Sequence, residues 1–205
     1  MKKVILASKS PRRIELFKKY GIVAESIPAD VDECIPENIK EPSEIVKYLS
    51  EKKANYIASF GADGIIIAAD TLVFCGDKIL GKPANKTEAY EMMKLLSGKS
   101  HSVISGICIV FDDKKVLESV KTEVFFRELT EKEINDYIAT DEPYDKAGGY
   151  GIQSIAGAFV RCINGDYYNV VGLPVSRLIT ILKEEFDYDA LENILENKGV
   201  SDVSK

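Results

Sequence analysis

The 205-residue chain predicts a mixed α/β fold, a mixed β-sheet flanked by helices. Three observations carry this expectation. Strand-like and helix-like segments alternate along the chain. The run "GIIIAAD" is apolar up to its aspartate, as in strands covered on both faces. Hairpin patterns stand among the crossovers, which excludes a purely parallel sheet. No internal repeat and no linker divides the sequence, so residues 1–187 are expected to form one domain, with 188–205 a tail that has the pattern of a short helix.

In order, "KKVILAS" reads as a short buried strand and "PRRIELFKKYG" as a helix stopped by Gly21. "IVAESIP" reads as a second strand, followed by an acidic, Pro-rich connection from Ala29 to Pro42. "SEIVKYLSEKKANYIASFG" places Ile45, Val46, Leu49, Ala54 and Ile57 near one helical face. "GIIIAAD" continues into "TLVFCGDKILGKP", a hairpin turning at Gly76-Asp77. In "NKTEAYEMMKLLSG", Asn85 with Glu88 three residues on is close to a capping box. Two long strands, "HSVISGICIVF" and "KVLESVKTEVFF", are joined by "DDKK". "TEKEINDYIAT" opens a helix with the Thr130/Glu133 capping pattern. "SIAGAFVRCI" and "YYNVVG" read as a last hairpin around "NGD", before Pro174 introduces "PVSRLITILKEEF".

Composition narrows the function. A net charge of −6 argues against a nucleic-acid polymer as main partner, because backbone binding needs a basic face. A small anion remains open, since a local Arg/Lys cluster works inside an acidic protein. No apolar run is long enough to span a membrane and no signal peptide precedes the first strand, so a cytoplasmic protein with four reduced thiols is expected. The one histidine, His101, excludes triads and His-rich zinc sites, and reads as a strand-edge residue.

Six stretches could carry chemistry. In "ASKSPRR", Ser10 stands at the N-cap and Pro11 at the first helical position, yet Arg12 and Arg13 follow, where the helix macrodipole favours acids. With Ser8 nearby, this helix start suits a phosphate; solvated arginines are the equal alternative. Asp70 closes the apolar run and suits a general base or metal ligand, or else a carboxylate accepting backbone bonds. Lys82 in "ILGKP" and Lys53 beside Ala54 are each a candidate phosphate cation or a solvated lysine. In "EPYDKAGGYGIQ", three glycines surround Asp145, Lys146, Tyr150 and Gln153, and the Gln153 amide could meet a base edge. A carboxylate among Asp30, Asp32 and Glu33 could hold Mg²⁺, or form a solvated acidic loop.

Together "ILASKSPRRIELF", "EKKA", "AADTLV", "ILGKP", "LLSGKSHSVISG", "DKAGGYGIQ" and "GDYYNVVGLPVSRL" resemble the Maf-like family of nucleotide pyrophosphatases. The ordered set covers nearly the whole chain to about residue 185. The resemblance implies a cytoplasmic enzyme that hydrolyses nucleoside triphosphates to monophosphate and pyrophosphate, house-cleaning the nucleotide pool. It implies an elongated mixed sheet with two lobes around a central cleft, similar to the inosine triphosphate pyrophosphatase fold. It also implies a divalent metal, Mg²⁺ or Mn²⁺, and members that often pair as homodimers. Carried residue by residue, the general base falls on Asp70. Phosphate-gripping residues fall on Ser8, Arg12, Arg13, Lys53 and Lys82, and metal ligands on Glu33 and Asp70. Substrate choice is linked to Arg12, Thr71 and Gln153, and the Asp70-Thr71 pair with the "GYGIQ" glutamine resembles the dTTP/UTP subgroup. Two rivals stay open: a pyrophosphatase for 7-methylguanosine triphosphate or a modified nucleotide, and a nucleotide-binding regulator of septum formation.

Overall fold

The computed structural model describes residues 2–197. Its strands are β1 (Val4–Leu6), β2 (Glu25–Ser26), β3 (Ile65–Cys75), β4 (Lys78–Leu80), β5 (Ser100–Phe111), β6 (Lys114–Phe126) and β7 (Val160–Asn164). They form one mixed sheet in the order β2-β1-β3-β5-β6-β7, with β4 also paired to β3. The β1 strand runs parallel to β2 and β3, and every other pairing is antiparallel.

The central strand, β3, changes partner partway along. Ile65, Ile66 and Ile67 pair with β1, whereas Val73, Phe74 and Cys75 pair with β4. Its other edge stays on β5 from Ile66 to Phe74. Asp70 therefore lies in the middle of an 11-residue strand rather than at a strand end, level with the gap between β1 and β4. The apolar run and the hairpin are one continuous element, because β5 supplies an unbroken ladder beneath both.

The described residues form the α-helices α1 (Pro11–Lys19), α2 (Pro42–Ala58), α3 (Lys86–Leu96), α4 (Glu131–Ile138), α5 (Tyr167–Val171), α6 (Val175–Phe186) and α7 (Ala190–Asn197). Alternation along β3 decides which helix each residue meets. Ile65, Ile67 and Ala69 pack with Leu16 and Phe17 of α1 and Leu178, Ile181 and Leu182 of α6. Ile66 and Ala68 face the other way, onto Ala54 and Ile57 of α2. Farther along, Phe74 meets Ile45, Val46 and Leu49 of α2, while Val73 joins Met93 of α3 and Ile134 of α4. The same alternation sends Asp70 to the α2 face and Thr71 to the α1 face.

Helix α2 can lie close because of one glycine. Gly106 of β5 pairs in register with Asp70, and a Cβ placed there would come within 2.1 Å of the Val46 carbonyl oxygen. That distance is far inside van der Waals contact, so only glycine allows the helix backbone to rest on the sheet.

Several segments differ from expectation. The strand expected in "IVAESIP" shrinks to Glu25–Ser26. "YYNVVG" is not a strand: the Asp166 carboxylate accepts hydrogen bonds from the Tyr168 and Asn169 amides, capping α5 despite β-branched residues that favour a strand. Likewise "SIAGAF" is a 3₁₀ turn, Ile155–Phe159, and β7 begins only at Val160. The Thr130/Glu133 capping box and the Asn85 cap both form. Ser10 holds the N-cap position of α1, but its side chain does not cap; its amide donates instead to Ser8 Oγ, 3.1 Å away. Of the tail, α7 belongs to the described part and residues 198–205 lie outside it.

His101 stands near the start of β5, where it pairs with Val124 of β6 just beyond the last β3 partner at Ser102. Its strand, β5, is flanked by β3 and β6, and the side chain is 3% exposed. Burial pushes its pKa down from the ordinary value to about 4. The unfolded chain therefore binds a proton that the folded one refuses between about pH 6.5 and about pH 4. Stability from this site is complete above that window and falls through it by on the order of 3 kcal/mol. Urea midpoints measured across the window should drop more for the wild type than for His101→Leu.

Candidate active site

The partner change along β3 opens the sheet where two surfaces meet. A cleft of about 650 Å³ lies over it, lined by the β1–α1 turn, the centre of β3, the Gly81-Lys82 segment and the 145–154 loop. Lys9, Arg12, Arg13, Lys53, Lys82 and Lys146 line it, against Glu33, Asp70 and Asp145. Cations are thus in twofold excess here, although the whole chain carries a net charge of −6. A cleft with that imbalance concentrates field lines and attracts a polyanion.

On the α2 side, the Lys53 ammonium stands between two carboxylates. It lies 2.5 Å from Asp70 Oδ1 and 2.7 Å from Glu33 Oε1. Lys53 and Asp70 are both recessed, whereas Glu33 reaches in from the exposed acidic connection. Burial works to raise the Glu33 pKa, but its hydrogen bond to Lys53 and the fields of Lys53, Lys82 and Arg13 together hold it below the usual carboxylate value. Glu33 is therefore anionic at neutral pH, and these cations all act on it.

On the α1 side, Arg13 resolves the oddity of a cation at a helix start. Its Nε donates to the Gly172 carbonyl at 2.9 Å and its Nη1 to the Ala69 carbonyl at 2.7 Å. Its Nη2 donates to Thr71 Oγ1 at 3.1 Å. Ala69 falls in the gap between β1 and β4, so a guanidinium takes a carbonyl that a neighbouring strand would otherwise pair. Burial lowers the Arg13 pKa and the nearby Asp70 carboxylate opposes that shift. Thr71 Oγ1 also contacts Ser105 Oγ at 2.7 Å and the Gly172 carbonyl at 3.1 Å. Arg13 and Thr71 thus tie α1, β3, β5 and the end of α5 together directly behind Asp70.

The remaining candidates face the open cleft. Ser8 Oγ is buried at the mouth of the β1–α1 turn, 3.5 Å from Arg13 Nη1. Arg12 crosses to the far wall, its Nη1 3.2 Å from Asp145 Oδ2. Lys82 and Gln153 are exposed lining residues of the cleft. Lys146, recessed beside them, donates to the Glu142 carbonyl and to Asp145. Lys9 is a lining cation that the sequence reading passed over; its signal was its place in "ASKSPRR", ahead of a helix start. Asp30 and Asp32 do not line the cleft.

No group of three or more His, Cys, Asp or Glu side chains suited to a metal occurs among the described residues. A divalent cation of the Mg²⁺ type needs fewer, because it takes one or two carboxylates plus water and substrate phosphate. The two carboxylates that converge on the Lys53 ammonium are such a set, so the residues fit that kind of ion.

An α/β sheet opened at its centre, with a carboxylate and a ring of cations in the gap, defines a protein built to take up and act on a small polyanion. Sequence comparison narrows that class. The family model described as Maf-like protein matches residues 3–185, and the chain belongs to this family. It is 51% identical over 184 residues to a dTTP/UTP pyrophosphatase of Bacillus anthracis, covering 90% of this chain and 96% of that one. A dTTP/UTP pyrophosphatase of Bacillus cereus is also 51% identical, with 90% of each chain covered. Among solved structures, the Ham1 protein of Staphylococcus aureus aligns at 14% identity with a TM-score of 0.42, over 61% of this chain and 72% of that one. No helix among the described residues is long and apolar enough to cross a membrane.

Proposed function

We propose that this protein hydrolyses nucleoside triphosphates, dTTP and UTP foremost, to the monophosphate and pyrophosphate. The observation that carries the reading is the Lys53 ammonium held between Asp70 and Glu33 on the floor of a cationic cleft. The names of the two relatives point to the same substrates.

In this reading Asp70 is the general base. Its carboxylate takes a proton from the attacking water as the water oxygen bonds to the α-phosphorus and the α–β bridging bond breaks. Lys82, Lys9 and Arg12 offset the charge that gathers on departing pyrophosphate. Asp70 and Glu33 would hold Mg²⁺ or Mn²⁺, which lowers the pKa of water and neutralises phosphate charge. Lys53, whose ammonium stands between the two carboxylates, would offset phosphate charge beside them. Arg13 and Thr71 hold the floor in place, and Gln153 presents its amide to the pyrimidine edge. The enzyme would act in the cytoplasm, where such triphosphates are pooled. A homodimer rests on the family resemblance, and sedimentation equilibrium tests it.

The deciding experiment is pyrophosphate release from dTTP, UTP, CTP and 7-methylguanosine triphosphate, with Mg²⁺ and with a chelator. Release from dTTP and UTP, lost on chelation, is the expected result. Inorganic phosphate as the product would overturn the reading. Tight nucleotide binding without hydrolysis would replace it with that of a regulator.

A further inference from the structure

His101 and Tyr150 form a buried polar pair that the chemistry above does not use. His101 Nε2 lies 2.6 Å from the Tyr150 hydroxyl, and the two side chains are 3% and 5% exposed. Their rings meet edge to face at 5.2 Å. Phe126 stands at similar angles to both, 5.1 Å from the imidazole and 4.9 Å from the phenol. His101 Nδ1 has no hydrogen-bond partner among the described residues. A buried imidazole with an unpaired ring nitrogen costs stability that an apolar side chain at the same place would not. Its use therefore lies in what it holds.

What it holds is one wall of the cleft. Tyr150 follows Gly148 and Gly149, both at positive φ, in a loop without strand or α-helix. This loop contributes Asp145, Lys146 and Gln153 to the lining. Two backbone contacts also secure it: the Gly148 amide donates to the Gly81 carbonyl, and the Tyr137 hydroxyl to the Gly149 carbonyl. Both lie before Tyr150. Past Tyr150, Ser154 Oγ donates to the Glu142 carboxylate within the same run of turns; the His101 bond is the one of these that ties the loop to the long strand β5.

We propose that His101 is a positioning residue, which through Tyr150 sets the place of the 145–154 loop and so governs nucleotide affinity and base selection rather than the rate of bond cleavage. This rests on the pyrophosphatase reading above, with Gln153 as the base-reading group. His101 itself touches no part of the substrate.

The test compares wild type with His101→Leu, His101→Gln, Tyr150→Phe and the His101→Leu/Tyr150→Phe pair, using dTTP, UTP and CTP. His101→Leu and Tyr150→Phe should each raise KM for dTTP and UTP by about tenfold, with kcat changed less than about twofold. Preference for UTP over CTP should shrink in step. His101→Gln, which returns a side-chain amide near the position of Nε2, should recover most of the affinity. The double variant should be no worse than either single one, because both break the same bond. Tyr150→Phe keeps the ring and its packing, so the test survives if His101→Leu does not fold. A merely structural role would lower the melting temperature and leave KM and base preference where they were; that result, or additive losses in the double variant, overturns the inference. Wild type that releases no pyrophosphate would instead sink the underlying function.

Discussion

Asp70→Asn should lower kcat by on the order of 10²- to 10⁴-fold, the usual contribution of a positioned proton acceptor. The amide keeps the size and one oxygen of the carboxylate but cannot take a proton from water. The fold should survive, because Lys53 keeps Glu33 as a partner at 2.7 Å and the β3–β5 ladder through residue 70 is made by backbone. Steady-state pyrophosphate release gives the rate, and circular dichroism gives the fold. Near-normal turnover would remove Asp70 from the reaction. A collapsed fold would show that its charge is needed chiefly to balance Lys53 and Arg13.

Arg13→Met should act mainly on structure and only through structure on turnover. The substitution strips donors from the Ala69 and Gly172 carbonyls and from Thr71 Oγ1, which then lie in a recess with fewer partners. Removing one side of such a charged, hydrogen-bonded arrangement costs about 3 kcal/mol or more. For a chain of this size that is a fall of roughly 6–12 °C in melting temperature. Turnover should fall as well, because the floor beneath Asp70 loosens. Arg13→Lys should rescue little, since one ammonium cannot reach three acceptors spread over three directions as a planar fork does. Thermal unfolding of both variants settles the matter; an unchanged melting temperature for Arg13→Met would mean that the three bonds stabilise nothing.

Much of this was legible along the chain, and the illegible parts share a cause. Strongly periodic or capped segments, such as α2, the Asn85 helix and the Thr130 box, carry their signals within a few residues. Asp70 stood out because a carboxylate in an apolar run is costly wherever the run folds. The double arginine announced that something negative lay near. Local sequence could not reveal that part of it was a pair of backbone carbonyls, because Ala69 is left unpaired only by the distance between the end of β1 and the start of β4. The same holds for His101, whose partner is 49 residues away, and for the Lys53 ammonium, shared by groups from two separate segments. "YYNVVG" failed for the opposite reason: a strong local β preference was outvoted by a cap at Asp166 that also lies nearby.

The glycine under α2 has a mechanical consequence. Where side chains separate a helix from a sheet, rotamer changes let the two drift; where main chain touches main chain, the contact is a hard stop. Val46 bears on Gly106, next to Asp70 in the ladder, so the distance from the α2 backbone to the sheet beside that carboxylate is set by main chain rather than by side-chain packing. The cleft is consequently asymmetric in stiffness. Its floor beside Asp70 rests on that stop, whereas the wall of residues 145–154 is built of turns.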